Sequence, residues 1–252
     1  MAAFPGFRLD GRRALVTGAS RGIGRAAAHA LAAAGAHVVL AARAAADLVE
    51  AAEAIRAEGG AAEPLALDVT DTAAMRAAVA AAGPFDILFN NAGINRPQPF
   101  LAVDEATYDD LYAVNVRAAF FVAQAVAKGM VAAGRGGVIV NTSSQMGHVG
   151  GPERTVYCGT KHAVEGMTKA MALELAPHGI RVVTVCPTFV PTALTAAAFA
   201  DPAGREAVIG RIPMRRAATA EEVAQAVVFL CSPAAGMVTG TALLVDGGWT
   251  AQ

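Results

Sequence analysis

Charge is scarce in this chain and balanced. Of its 252 residues 16% are charged, 20 basic against 21 acidic, for a formal net charge of −1. Without a single-sign excess to grip a phosphate backbone or an anionic lipid surface, neither nucleic acid nor a membrane is an expected partner. Cysteine is sparse too: Cys158, Cys186 and Cys231 are odd in number and widely spaced, which excludes a disulfide framework and favours reduced thiols. The opening MAAFPGFRLDGRR lacks the apolar run of a secretory signal, and apolar stretches elsewhere are broken by Gly, Pro or charge. A cytoplasmic chain without a membrane span is expected. Among the 20 basic residues only Lys128, Lys161 and Lys169 are lysines.

What is present is a 55% hydrophobic chain, enough for one domain with a large core over residues 1–252. Short β-prone runs alternate with Ala-rich helical stretches: ALV at Ala14, HVVL at His37, LAL at Leu65, DILF at Asp86, GVIV at Gly137, RVVTV at Arg181 and LLV at Leu243. These runs are apolar on both faces, and the gaps suit right-handed helical crossovers. The pattern predicts an α/β, doubly wound, Rossmann-like fold with a seven-stranded parallel sheet and helices on both faces. Helices are expected over Gly22 to Ala34, stopped by Gly35, and over Thr155 to Ala176, stopped by Pro177 and Gly179. The dinucleotide-binding half would occupy about residues 10–135 and the catalytic half about 136–252, with a cap over about 188–218.

In VTGASRGIGRA, glycines 18, 22 and 24 sit where a strand feeds a helix. A helix N-terminus binds phosphate through free N–H groups, and glycines clear the side chains that would block a pyrophosphate. Gly18 would make the tight turn, while Gly22 and Gly24 would permit close approach of cofactor and of helix to strand. Tyr157 and Lys161, four residues apart on a helix, share one face. An adjacent ammonium favours a phenolate, so Tyr157 is expected to have a lowered pKa and to serve as general acid in reduction and base in oxidation. Ser144 follows the strand GVIVNTS, where its hydroxyl would hold a substrate oxygen beside Tyr157; Ser143 is the competing assignment.

Together TGASRGIG from Thr17, NNAG from Asn90, Asn115 in a helix, Ser144, YCGTK from Tyr157 to Lys161, CPTFVPT from Cys186 and the terminal LLVDGGW resemble the compact short-chain dehydrogenase/reductases over nearly the whole chain. The resemblance selects Ser144 over Ser143. It implies a catalytic set of Asn115, Ser144, Tyr157 and Lys161, with Lys161 also reaching the nicotinamide ribose and Asn115 binding a water that links Lys161 to solvent. It implies cofactor contacts from Gly18, Ser20, Arg21, Gly22, Ile23 and Gly24 in the turn, from Asn91, Ala92 and Gly93, and from Asp68 with Val69 at the adenine. After strand six, Pro187, Thr188, Val190 and Thr192 would follow the nicotinamide, although Thr188 stands where the family usually has glycine. It also implies a homotetramer built on helices Asp104 to Val131 and Thr155 to Ala176 and the C-terminal strand, with Trp249 at an interface.

An NAD site puts an acid at the end of the second strand, but HVVLAAR has Ala42 there, then Arg43. With Arg21 in the turn, two guanidiniums would pair with a 2′-phosphate, so NADP(H) is expected over NAD(H). Met146, His148 and Arg154, with Ser144 and Tyr157, are the expected substrate contacts, and Asn95, Arg96, Glu153 and Thr188 to Leu194 are further candidates for the wall. Such polar side chains suit a sugar acid, polyol or small keto compound. Beside this NADP(H)-dependent alcohol/ketone oxidoreductase stand three other readings: a 3-oxoacyl reductase type, a non-catalytic NADP(H)-binding sensor or scaffold, and an isomerase or dehydratase of the extended relatives, which prefer another glycine spacing and a longer C-terminal domain. No metal site is expected, since the one suggestive pair, Cys158 and His162, lacks a third ligand nearby.

Overall fold

The computed structural model describes residues 6–252, residues 197 and 198 by backbone alone. The leader reading thus falls partly on residues 1–5, outside the described residues. Seven strands form one parallel sheet: β1 (Arg13–Thr17), β2 (His37–Ala42), β3 (Ala61–Ala66), β4 (Ile87–Asn90), β5 (Gly137–Thr142), β6 (Ile180–Pro187) and β7 (Ala242–Val245). The order β3-β2-β1-β4-β5-β6-β7 reverses direction between β1 and β4, the switch point where an open α/β sheet presents a crevice at its carboxyl edge. The helices are α1 (Gly22–Ala33), α2 (Ala45–Ala57), α3 (Thr72–Ala82), α4 (Glu105–Tyr112), α5 (Ala119–Ala133), α6 (Thr155–Leu175), α7 (Pro202–Ile209) and α8 (Ala220–Cys231).

Alternate strand residues feed two cores. Ala14, Val16, Val38 and Leu40 point to one face, where Leu31 of α1, Leu48 of α2 and Val227 of α8 cover them. Leu15, Val39, Leu88 and Ile139 point to the other, against Met75 of α3, Val126 of α5 and Ala172 of α6. Each fully buried Val, Leu or Ile contributes about 1.5–3 kcal/mol, so both faces must be covered for the sheet to persist.

Two strand expectations shift. β3 begins four residues before the expected LAL, at Ala61, and takes in Glu63 and Pro64; as an edge strand it tolerates a proline and alternating exposure that a central strand would not. The strand expected at Asp86 begins at Ile87, because the buried Asp86 carboxylate accepts from the Arg13 amide at 2.9 Å and faces Arg135 at 3.2 Å. Asp71, not Asp68, caps α3 by accepting from the amides of Ala73 and Ala74.

The helix expected over Asp104 to Val131 is continuous over Glu105–Ala133 but widens into a π-helical turn at Ala113–Ala118 between α4 and α5. It runs for 29 residues, and an 18-residue window within it has a mean hydropathy of 1.4, so by length and composition it could cross a membrane, although charged residues interrupt its apolar runs. Val122, Val126 and Met130 instead bury one face of it on the sheet.

Candidate functional site

The site forms where the carboxyl ends of β1, β4, β5 and β6 meet α1 and α6. Gly18 and Gly22 take left-handed backbone, at φ +64° and +57°. A Cβ at Gly18 would come 3.0 Å from the Cα of Ala92, one at Gly22 would come 3.2 Å from the Thr192 methyl, and one at Gly24 would collide with the Gly18 carbonyl oxygen. The turn therefore touches both the segment after β4 and the loop after β6, and Gly24 lets α1 abut the strand. Ile23 lines the adjoining cleft, while Ser20 is half-buried and Arg21 exposed at the rim.

Thr17, absent from the sequence-derived site, is the hub of this edge. Its hydroxyl accepts from the amides of Asn91 at 2.9 Å and Ala92 at 3.0 Å, and the Asn91 amide group donates to the Thr17 carbonyl at 3.1 Å. Asn90 turns inward, donating to the Ala119 carbonyl at 2.8 Å and to Asn141 Oδ1 at 3.1 Å, so it braces the π-turn.

Asn115 lies in that π-turn, 2% exposed. Its side chain accepts from the Ile94 amide and donates to the Ile94 carbonyl, both at 2.9 Å, and donates to Thr160 Oγ1 at 3.2 Å. The expected water-binding amide is thus committed to the chain after Gly93; a polar residue mid-helix marks the widened turn.

Lys161 is buried, and its ammonium donates to the Thr142 carbonyl at 2.9 Å and lies 5.5 Å from the Tyr157 ring centroid. Ser144 Oγ accepts from the Met146 amide at 3.1 Å and lines the same cleft as Tyr157. Burial, the largest influence on both groups, pushes the Tyr157 phenol up to about 12 and the Lys161 ammonium down to about 8, while the nearby Ser144 hydroxyl works against the first. The expected lowering of Tyr157 by Lys161 is therefore reversed: the closed cleft penalises both charged forms, and the ammonium is turned toward Thr142.

Thr142, Ser144, Tyr157 and Lys161 line a cavity of about 110 Å³ together with Asn91 and Gly93. Pro187, Thr188, Val190 and Thr192 close its other side. The Thr188 hydroxyl is buried there without a hydrogen-bond partner. Beyond Pro191 a larger cavity, about 740 Å³, opens beneath the inserted segment carrying α7.

The remaining expectations sort by position. Arg43, at the end of β2, is exposed, and its charge reaches Asp68, whose Oδ1 accepts from the Thr70 amide and hydroxyl. Val69 packs partly into the core on its side of the sheet. Met146 joins an apolar cluster with Cys158, Val208, Ile212 and Trp249, against which Tyr157 packs. His148 departs from the expected substrate wall and Trp249 from the expected interface. His148 turns its ring toward Glu165 and Cys186, away from the cleft. Arg154 stands at the N-cap position of α6, its guanidinium 3.4 Å from the Glu153 carbonyl, and its charge reaches Tyr157. Trp249, expected at an interface, is 5% exposed within this one chain, stacked beneath Arg211 and beside Phe189; the cap supplies those partners and lies far from Trp249 in sequence.

A family model described as enoyl-(acyl carrier protein) reductase matches residues 18–250. The chain belongs to the short-chain dehydrogenase/reductase family. It is 46% identical over 245 residues to the D-erythrulose reductase of Gallus gallus, covering 97% of this chain and 98% of the relative. It is 46% identical over 244 residues to the L-xylulose reductase of Bos taurus, covering 97% and 98%. Among solved structures, a gluconate 5-dehydrogenase from Burkholderia cenocepacia J2315 in complex with NADP and tartrate superimposes with a TM-score of 0.94, at 40% identity and 98% coverage of both chains.

Proposed function

We propose that this chain is an NADP(H)-dependent oxidoreductase that interconverts a secondary alcohol and a ketone on a small polyhydroxylated substrate. The observation that carries the reading is the convergence of Ser144, Tyr157 and the buried Lys161 on one cleft, which Ile23 of the glycine turn also borders. The relatives named for ketoses and for gluconate support the substrate class.

The residues present fit a dinucleotide: a close-packed glycine cradle, and in Thr188 a buried hydroxyl with no partner of its own. Gly18, Ser20, Gly22 and Ile23 would hold the pyrophosphate, Asn91 to Gly93 the adjoining ribose, and Thr188 to Thr192 the carboxamide. Arg21 and Arg43 would pair with a 2′-phosphate, for which Asp68 is held back by its own Thr70 turn. When bound, the nicotinamide supplies or accepts the hydride.

Tyr157 donates its phenolic proton to the carbonyl oxygen as the alcohol forms, and Ser144 holds that oxygen by a second hydrogen bond. Lys161 places a positive charge beside the phenolate left behind. Asn115 fixes the backbone at Ile94, which keeps Gly93 against the cleft. With its phenol held up to about 12, Tyr157 enters reduction with its proton in place.

Asn95 Oδ1 and Gln98 Oε1 are buried acceptors without donors among the described residues, on the segment that runs past Glu153. Exposed Tyr108, Phe120, Val131 and Leu173 on the helices of the expected tetramer interface support a homotetramer. A panel of ketoses, keto-acids, polyols and acyl-thioester ketones, read at the nicotinamide absorbance with NADPH and NADH in parallel, tests the reading. Turnover of ketoses or keto-aldonates with NADPH supports it; turnover of the acyl thioester alone, or none, overturns it.

A further inference from the structure

Behind the wall formed by Ser143 and Ser144, outside the substrate cleft, three side chains from three elements converge. His148 Nε2 lies 3.4 Å from Cys186 Sγ and 3.5 Å from Glu165 Oε1, and Cys186 Sγ lies 3.2 Å from the same carboxylate oxygen. A tetrahedral zinc ion with bonds of about 2.0–2.3 Å sets its ligand atoms roughly 3.3–3.6 Å apart. The two His148 edges fall within that spacing, and the Cys186–Glu165 edge is about 0.1 Å short of it.

We propose that His148, Glu165 and Cys186 form a zinc-binding site that ties together the three segments from which the cleft is built. Their ligand atoms all lie within 4.8 Å of one another, with Glu165 and Cys186 buried. The set is imidazole, carboxylate and thiolate, a donor class suited to Zn²⁺, and two anionic ligands balance its charge. Binding forms a Zn–S bond and releases the thiol proton to solvent.

Two neighbours behave as an outer shell. Thr184 Oγ1 donates to Glu165 Oε2 at 3.0 Å, which leaves Oε1 for the metal and orients the carboxylate. The Ser143 hydroxyl is buried, has no hydrogen-bond partner of its own and faces the Cys186 thiol. The His148 side chain is 30% exposed, so solvent reaches the fourth coordination position.

The location carries the consequence. His148 follows Ser144 by one short turn, Glu165 sits one helical turn beyond Lys161, and Cys186 immediately precedes Pro187. A bound ion would fasten the loop after β5, helix α6 and the end of β6 to one another without touching the substrate. Sequence spacing cannot show such a site, because its ligands are 17 and 21 residues apart on separate elements.

The test uses the full chain stripped with a chelator and then titrated with Zn²⁺, and with Co²⁺ as a spectroscopic probe. One equivalent of Zn²⁺ should bind in competition with a chromophoric chelator and raise the melting temperature. Co²⁺ should give sulfur-to-metal charge-transfer absorption that survives Cys158→Ser and Cys231→Ser and vanishes in Cys186→Ser. His148→Ala, whose ring is partly exposed and whose folding is the least at risk, should weaken Zn²⁺ by at least the roughly 10–100-fold that loss of an outer partner alone costs. Absence of stoichiometric Zn²⁺ binding, affinity unchanged in His148→Ala, or a charge-transfer band that persists in Cys186→Ser overturns the proposal. None of these readouts depends on turnover.

Discussion

The Lys161 ammonium donates to the Thr142 carbonyl across 2.9 Å, pinning the helix that carries Tyr157 to the last residue of β5. That contact satisfies the buried cation without neutralising it, and burial still lowers its pKa from 10.5 to about 8.

The folded state therefore releases this proton more readily than the unfolded chain. Between about pH 8 and 10.5 the unfolded state holds more protons, so stability rises with pH through that window, and the charge cost is fully present below it. Lys161→Met removes a cost on the order of 2–3 kcal/mol and loses a hydrogen bond contributing about 1 kcal/mol. The cofactor-free variant should melt roughly 3–6 °C above the parent near neutral pH. The gap should shrink as the pH approaches 10. An unchanged or lower melting temperature at neutral pH rejects the idea that burial dominates at this ammonium.

Tyr157→Phe removes the proton donor and keeps the ring that packs on the Met146 cluster. Turnover should fall by about 10²–10⁴-fold or more, while NADPH affinity, read by fluorescence, stays within a few-fold. A variant with parental kcat would reassign the acid.

Much of this arrangement was legible in the residues. Unbroken Val, Leu and Ile runs marked the central strands, because strands covered on both faces need no polar alternation. Glycines 18, 22 and 24 marked the turn, because close approach there admits no side chain. What escaped the sequence came from contacts between distant segments. β3 reaches back through Pro64 to Ala61 because it is an edge strand, a position that the residues of LAL alone do not reveal. The π-turn at Asn115 depends on Ile94 and Thr160, and His148 was drawn off the cleft by Glu165 and Cys186. The expected sign at Tyr157 failed because neighbour charge is visible in a YxxxK spacing and burial is not.

Arg43 follows the end of β2, exposed and without an ion pair within 4 Å among the described residues. A charge-assisted contact to a 2′-phosphate is worth about 1.5–3 kcal/mol. Arg43→Ala should reduce the preference for NADPH over NADH in kcat/KM by roughly 10–100-fold, mostly through KM, and the loss should diminish at high salt. Arg43→Asp should favour NADH outright. Equal loss with both cofactors would place this guanidinium on the adenine instead of on the phosphate.

Asn115 spends both ends of its amide on one residue, accepting from the Ile94 N–H and donating to the Ile94 carbonyl. Only an amide of this length does both: alanine does neither, and aspartate can accept but cannot donate while bringing a buried charge. Asn115→Ala leaves two backbone groups and Thr160 short of partners, at a cost of about 2–4 kcal/mol, or roughly 4–12 °C of melting temperature. Asn115→Asp should be at least as damaging at neutral pH and should recover part of the loss as the pH falls and the carboxyl gains a proton to donate. The Ile94 segment carries Gly93 toward the cleft, where a Cβ would stand 3.3 Å from Asn115 Oδ1 and 3.8 Å from Lys161 Nζ. Loosening it should therefore raise KM for NADPH as well as lower kcat. If Asn115→Ala melts with the parent and loses only kcat, the side chain acts on proton transfer and not by holding Ile94.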